Sequence, residues 1–225
     1  MAVFDRIADE YDQWYETKLG KFADEVETKL AFSLFQPKPG MHVLDAGCGT
    51  GNFSIKLAQA GCRVTGIDIS EEMLKIAKQK AQKMNLDIDF RVMDIYHLQF
   101  EDETFDAVFS MAAFEFIEKP KEAYQEMYRV LKRNGQLLIG TIHKESHWGR
   151  LYLSEAFQKE SVFRHARFKT LEELKNLDLE HLVDSRECLF IPPDIPEEEI
   201  HWEKEKEFST RERGGYICAL WKKTE

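Results

Sequence analysis

Cations are scarce in this chain. Lys and Arg number 31 against 41 Asp and Glu, a formal charge of −10 over 225 residues. Duplexes and long RNAs are held mainly through neutralised phosphates, so nucleic acid is disfavoured as a partner, a local basic patch apart. Long apolar runs are also missing. None approaches the roughly 20 residues that cross a bilayer, so no membrane span is expected. Residues 1–12 carry acids and no apolar block of signal-peptide length, so nothing suggests export and the chain reads as cytoplasmic. Cysteine is sparse: Cys48, Cys62, Cys188 and Cys218 lie far apart without CxxC pairing. That excludes a disulfide framework and leaves four small buried thiols. His143-x-x-x-His147 has helical ligand spacing, but no third ligand follows at a clear spacing, and no metal is expected.

No repeat, low-complexity tract or flexible linker interrupts the chain, so residues 1–225 read as one domain. It divides into a helical cap over 1–36, a cofactor-binding half over 40–142 and a substrate-side half over 143–225. In the cap, Phe4, Ile7, Ala8, Tyr11 and Tyr15 fall on one helical face, then Phe22, Val26, Leu30 and Phe35 on another. Pro37-Lys38-Pro39-Gly40 ends that segment. Strands then alternate with helices: strand 41–46, helix 51–60, strand 62–68, helix 70–84 capped by Ser70, and strand 88–93. Strand 105–110, a helix from Pro120 to about Lys132, a turn at Asn134-Gly135 and strand 136–142 follow. Such alternation implies right-handed crossovers and a parallel, doubly wound α/β sheet. Residues 146–177 read as helical, with Thr170-x-x-Glu173 as a capping box. Strand-like runs at 182–191 and 216–222 complete an expected pair of antiparallel strands.

The most specific feature is Val43-Leu44-Asp45-Ala46-Gly47-Cys48-Gly49-Thr50-Gly51-Asn52. An apolar run ends in an acid, glycines follow at alternate positions, and a helical pattern begins at once. This brings backbone N–H groups close to a nucleotide-like ligand. A dinucleotide site usually reads G-x-G-x-x-G; Gly47, Gly49 and Gly51 read G-x-G-x-G. Asp68 ends the second strand about 20 residues further on, where an acid accepts ribose hydroxyls. Asp94 lies at the end of the third strand. Three acids at the carboxyl ends of consecutive parallel strands mark the edge where open sheets bind ligands.

These residues resemble the first motifs of the class I S-adenosylmethionine-dependent methyltransferases. The segment after the fourth strand, and Leu131-Lys132-Arg133-Asn134-Gly135-Gln136-Leu137, are similar to the small-molecule, quinone-biosynthesis-like branch (methyltransferase type 11). The resemblance covers about residues 40–222. It implies a mostly parallel, seven-stranded Rossmann-like sheet with an antiparallel final strand, and S-adenosyl-L-methionine as cofactor. It also implies a cofactor set of Asp45, Gly47, Cys48, Gly49, Gly51, Asp68, Ile69, Met73, Met93, Asp94, Ile95 and Ser110. Asp45 would hold the amino-acid tail, directly or through water, or else tie down its own loop. Asp94 would meet the adenine amino group, with Met93, Ile95, Ile69 and Met73 packing on the purine. The Asn/Asp-Pro-Pro-aromatic motif of exocyclic-amine methyltransferases is absent from Ser110–Glu118, and so is a Pro-Cys nucleophile. A His commonly seen there in the family is missing, with Phe114-Glu115-Phe116 in its region.

Two residues are candidates for touching substrate. Tyr11 belongs to an aromatic cluster with Trp14 and Tyr15, either core packing or a cover over the site. His143 follows the fifth strand, either at the substrate or on the surface. The acidic run 197–207 reads as a solvated helix or loop, with a lid as the alternative. The expected function is methyl transfer to a small-molecule acceptor. The alternatives are an RNA or protein methyltransferase, or a non-catalytic S-adenosylmethionine-binding module.

Overall fold

The computed structural model describes Phe4, Asp5 and residues 7–224, so the parts of the expected cap at residues 1–3 and 6 lie outside the described residues. The cap is less regular than two helices. A single turn, α1 (Ala8–Tyr11), and a 3-10 turn over Trp14–Glu16 precede the long helix α2 (Lys18–Phe35). Thr17 starts α2 by accepting the Gly20 N–H at 2.9 Å, and Gln36 ends it in the left-handed region at φ 51°. A cap of this kind satisfies N–H groups that the first helical turn leaves without partners.

The alternating run then forms as expected: β1 (His42–Ala46), α3 (Asn52–Gln59), β2 (Arg63–Asp68), α4 (Glu71–Lys83), β3 (Ile88–Val92), β4 (Phe105–Met111) and α5 (Pro120–Arg129). Ser70 caps α4 through the Met73 N–H at 3.2 Å. The next strand departs from expectation. β5 spans Leu131–Ile142, and Asn134-Gly135 lies inside it rather than before it. Pairing with β4 runs Phe105 to Leu131 and resumes at Ala107 to Gln136, so the Asn-Gly turn is absorbed as an irregularity of one long strand.

The expected helix over 146–177 is broken into α6 (His147–Leu153), α7 (Glu155–Glu160), a 3-10 turn over Val162–His165 and α8 (Leu171–Lys175). Ser154 ends α6 and caps α7, which explains the first break. The capping box at Thr170 and Glu173 is present. β6 (Leu182–Cys188), α9 (Trp202–Phe208) and β7 (Tyr216–Lys222) complete the chain.

The seven strands lie in the order β3-β2-β1-β4-β5-β7-β6, with β7 antiparallel to both neighbours. Central strands are covered on both faces and therefore read as continuous apolar runs. Val43, Phe109 and Leu138 pack towards α2 and α3; Leu44, Val108 and Ile139 pack towards α5 and α8. Burial at this scale dominates the stability, at about 25 cal/mol per Å² of apolar surface. The topology places the carboxyl ends of β1, β2 and β4, and the start of α2, along one edge. That edge carries the site.

Candidate active site

The glycine turn is held from below. The N–H groups of Gly47 and Cys48 both donate to the Ile67 carbonyl, at 2.8 and 2.9 Å. Gly47 has φ +75°, and a Cβ there would lie 2.6 Å from the Ala113 Cβ. Only glycine fits at that position. Gly49 has φ +52° and open space around it, the nearest atom to an added Cβ being Met73 Cε at 3.8 Å. That space belongs to a cavity of about 310 Å³. Gly51 is different. It begins α3 at φ +79°, and a Cβ would press on Ala77 and Phe90 at 3.0 and 3.1 Å. It is not among the residues lining the cavity, and its place in the structure is the close packing of α3 on α4 and β3.

The three strand-end acids converge on this cavity. Asp68 is anchored twice, Oδ2 accepting the Gly49 N–H and Oδ1 the Ser70 N–H, both at 2.8 Å. Burial raises its pKa against those backbone bonds. Asp45 is 1 % exposed and accepts the Ser54 hydroxyl at 2.6 Å. Burial lifts its pKa to about 7, opposed by the Ser54 bond. It therefore ties down its own loop while bordering the cavity. Asp94 accepts the Tyr96 N–H at 2.9 Å. Cys48, Ile69, Met73, Met93 and Ile95 supply apolar wall, and Ile69 remains 63 % exposed at the mouth.

The donor set fits S-adenosylmethionine. Acids stand at the ends of three strands, and no Lys, Arg or His is among the described lining residues. A dinucleotide pyrophosphate would meet carboxylates there with no cation to offset them. A nucleoside carrying sulfonium and ammonium charges meets them favourably, and its flat base has apolar walls on which to pack.

A second cavity, of about 390 Å³, adjoins the first, and Phe4, Tyr11, Tyr15, Ala112 and Phe116 line both. Ala112 sits at φ 53°, its N–H donating to the Tyr216 hydroxyl at 2.7 Å. A non-glycine residue held in that region is strained, and such residues cluster at functional sites. Burial pushes the Tyr11 phenol up to about 12, so it is protonated at neutral pH. Glu27 and Glu115 also line the second cavity. Glu115, 1 % exposed, accepts the Thr141 hydroxyl at 2.9 Å. Burial pushes the Glu27 carboxyl up to about 8, with Asp24 and Glu115 adding to the effect and Lys56 opposing it.

Two other residues singled out in the sequence lie away from the cavity linings. Ser110 is wholly buried, and its Oγ has no hydrogen-bond partner among the described residues; Met111, Ala112 and Ala113 form the wall in its place. The strand's alternation turns Ser110 inward. His143 is 1 % exposed, with Nδ1 against the Gly214 carbonyl at 3.1 Å and its N–H donating to Gly215. It lines neither cavity and serves to join the end of β5 to the turn before β7. The acidic run is not simply solvated: buried Glu205 accepts the N–H groups of Phe190 and Ile191 at 2.8 and 3.0 Å, and Trp202 packs on Phe22.

Glu27 escaped the sequence reading although a signal existed. Ala23, Val26, Leu30 and Leu34 form the core-facing stripe of α2, and Glu27 falls on it. An acid on such a stripe is the informative exception.

This is a doubly wound sheet whose switch-point edge carries an acid-rimmed cavity that an adenosyl group fits, adjoining a second cavity. A methyltransferase-domain family matches residues 44–139. An uncharacterized protein of Methanocaldococcus jannaschii is 35 % identical over 81 % of this chain and 83 % of its own. The malonyl-[acyl-carrier protein] O-methyltransferase of Hamiltonella defensa is 32 % identical over 84 % of this chain and 68 % of its own. The ubiquinone biosynthesis O-methyltransferase of Coxiella burnetii is 34 % identical over 55 % of this chain, a match spanning about half, 52 %, of that enzyme. A Thermotoga maritima S-adenosylmethionine-dependent methyltransferase, described as a possible histamine N-methyltransferase, superposes with a TM-score of 0.76 at 25 % identity over 99 % of both chains. The chain belongs to the class I S-adenosylmethionine-dependent methyltransferases of the type 11 branch, and its cofactor is S-adenosylmethionine.

Proposed function

We propose that the protein methylates a small-molecule acceptor seated in the second cavity, with the cofactor in the first. The observation that carries this reading is the shared wall of Phe4, Tyr11, Tyr15, Ala112 and Phe116 between two chambers of small-molecule size. S-adenosylmethionine, when bound, supplies a methyl group on a sulfonium, and that chemistry is the cofactor's own. The chain contributes binding, alignment and exclusion of water. Asp68 would accept the ribose hydroxyls and Asp94 the adenine amino group. Asp45 and the turn at Gly47, Cys48 and Gly49 would take the amino-acid tail, while Ile69, Met73, Met93 and Ile95 pack on the base. Tyr11, protonated and lining both chambers, would donate a hydrogen bond to the acceptor or the cofactor rather than remove a proton.

Small-molecule size is supported by the volume of the second cavity, about 390 Å³, and by the acidic balance of the chain. A cytoplasmic site of action fits four free, buried cysteines. Among the described residues no helix is long and apolar enough to cross a membrane. A labelled-methyl assay on fractionated cell extract tests the reading. Label in the low-molecular-weight fraction is expected. Label confined to RNA or protein would replace it with a macromolecular substrate, and cofactor binding without any transfer would leave a binding module.

A further inference from the structure

We propose that the substrate of the second cavity is a small organic cation with a flat apolar body, its ammonium held against Glu27. This rests on the methyl-transfer reading above and gives that reading a substrate class.

The cavity is lined by Asp24, Glu27 and Glu115, and by no Lys, Arg or His among the described residues. Two of the three acids are already satisfied. Asp24 is paired with Lys56 Nζ, which also donates to Thr28. Glu115 accepts from Thr141 and has Lys169 nearby, whose Nζ is spent on the Phe114 and Arg167 carbonyls. Glu27 receives no hydrogen bond from any described residue, although it stands on the core-facing side of α2. A half-buried carboxylate that faces a largely apolar cavity without a partner is costly, and the group protonates unless a cation reaches it. Burial first, then the neighbouring Asp24 and Glu115 carboxylates, raise its pKa against the pull of Lys56.

The walls suit the same ligand. Trp14, Tyr15, Trp148, Tyr152 and Phe163 surround the space, with Tyr152 and Phe163 stacked at 4.3 Å between ring centroids. Aromatic faces attract organic cations, most strongly where water is excluded. An anionic acceptor is opposed by every charge that lines the cavity. A neutral alcohol would gain nothing from Glu27 beyond one ordinary hydrogen bond.

Calorimetry on the full chain with S-adenosylhomocysteine present tests this, with 2-phenylethylamine and tryptamine set against 2-phenylethanol and 3-phenylpropanoate. At least one amine is expected to bind at least about tenfold more tightly than the alcohol, the difference an ion pair makes in an enclosed site. The propanoate should bind weakest, and Glu27→Gln should abolish the amine preference. Failure of both amines to bind, equal or better binding of the alcohol or propanoate, or an amine preference intact in Glu27→Gln overturns the inference. The heat of S-adenosylhomocysteine binding, measured first on the same sample, separates the two readings. Its absence would sink methyl transfer itself, whereas its presence without amine preference sinks only the substrate class. Should Glu27→Gln not fold by circular dichroism, the wild-type ranking decides alone.

Discussion

Lys80, in the last turn of α4, donates from Nζ to Asp12 Oδ2 at 2.8 Å. The other oxygen of Asp12 accepts the Thr50 hydroxyl, also at 2.8 Å, inside the glycine turn. A second strap joins the Ser70 hydroxyl to Asp5 Oδ1 at 2.6 Å. The N-terminal segment is thus bound across the cofactor cavity by polar contacts. The side chains of Lys80 and Asp12 remain 26 % and 33 % exposed, and pairs of that kind contribute about 1 kcal/mol or less. A strap of this strength opens thermally, as entry of a ligand beneath it requires.

Hydrogen exchange over residues 8–20 should therefore be fast in the free protein and slowed by S-adenosylhomocysteine. Asp12→Ala should speed exchange in the free state and hasten cofactor release, with little change in Tm. Equal protection in free and bound protein would make the segment plain scaffold.

Asp68→Asn preserves size while removing the charge that a ribose pair of hydroxyls would meet. Its affinity for S-adenosylhomocysteine should fall by about 1.5–3 kcal/mol, the worth of hydrogen bonds to a charged acceptor. Calorimetry measures this directly. Asp68→Ala should lose more, because the Gly49 and Ser70 N–H groups also lose their partner.

The three glycines should separate by substitution. Gly49→Val faces open cavity, so the far-UV spectrum should be retained while the thermal shift with cofactor disappears. Gly51→Ala presses on Ala77 and Phe90, and should lower Tm yet keep a cofactor shift. Gly47→Val meets the Ala113 Cβ at 2.6 Å and should do both kinds of damage. A normal shift in Gly49→Val would leave that turn merely structural.

Glu27 predicts a pH dependence of stability. Its carboxyl is raised from 4.5 to about 8, so the native state holds a proton that the unfolded chain has released between those values. The stability Glu27 contributes is then greatest below about pH 4.5, declines as pH rises through the window, and is gone above 8. Carboxyls held low, such as Asp106, Glu126 and Asp178, act in the opposite direction at acid pH. Asp45, raised from 3.8 to about 7, acts in the same direction as Glu27. Glu27→Gln removes its share of the slope. The variant should match wild type at pH 4.5 and exceed it at pH 9 by about 1–3 kcal/mol. Urea titrations of both proteins at the two pH values check the difference.

Tyr11→Phe removes a phenol lining both cavities and keeps its ring against Phe4, whose centroid lies 6.0 Å away. Stability should hardly change, while kcat/KM falls roughly tenfold for loss of one hydrogen bond in the transition state. Since the phenol is protonated up to about pH 12, the loss should be flat across neutral pH. A fully active variant would assign Tyr11 to packing.

Features whose causes are local in the chain were legible in the sequence. The glycine spacing, the acids at Asp45, Asp68 and Asp94, the Ser70 cap and the Thr170 capping box each depend on a few neighbouring residues, and each lies where it was expected. Element ends were less legible where tertiary pairing overrides local preference. Asn134-Gly135 has turn chemistry, yet β4 and β7 hold it inside β5: the Asn134 N–H donates to Lys223, and the Lys223 N–H donates to Gly135. Position along the chain suggests Ser110 at the cofactor and His143 at the substrate, but which face of a strand end meets a ligand depends on the strand's register in the sheet.

By itself the sequence determined the doubly wound sheet and the cavity at the ends of β1 and β2, because strand–turn–helix units carry their own hydrogen bonds and meet at a shared edge. Only the tertiary structure decided the second cavity. Its walls come from α2, the end of β4, α6 and the loop before β7, which no spacing along the chain connects. Glu27 and Glu115 are 88 residues apart in number, from 27 to 115, and share a cavity because the cap folds back over the sheet. Burial then gives Glu27 a raised pKa that no exposed glutamate would have.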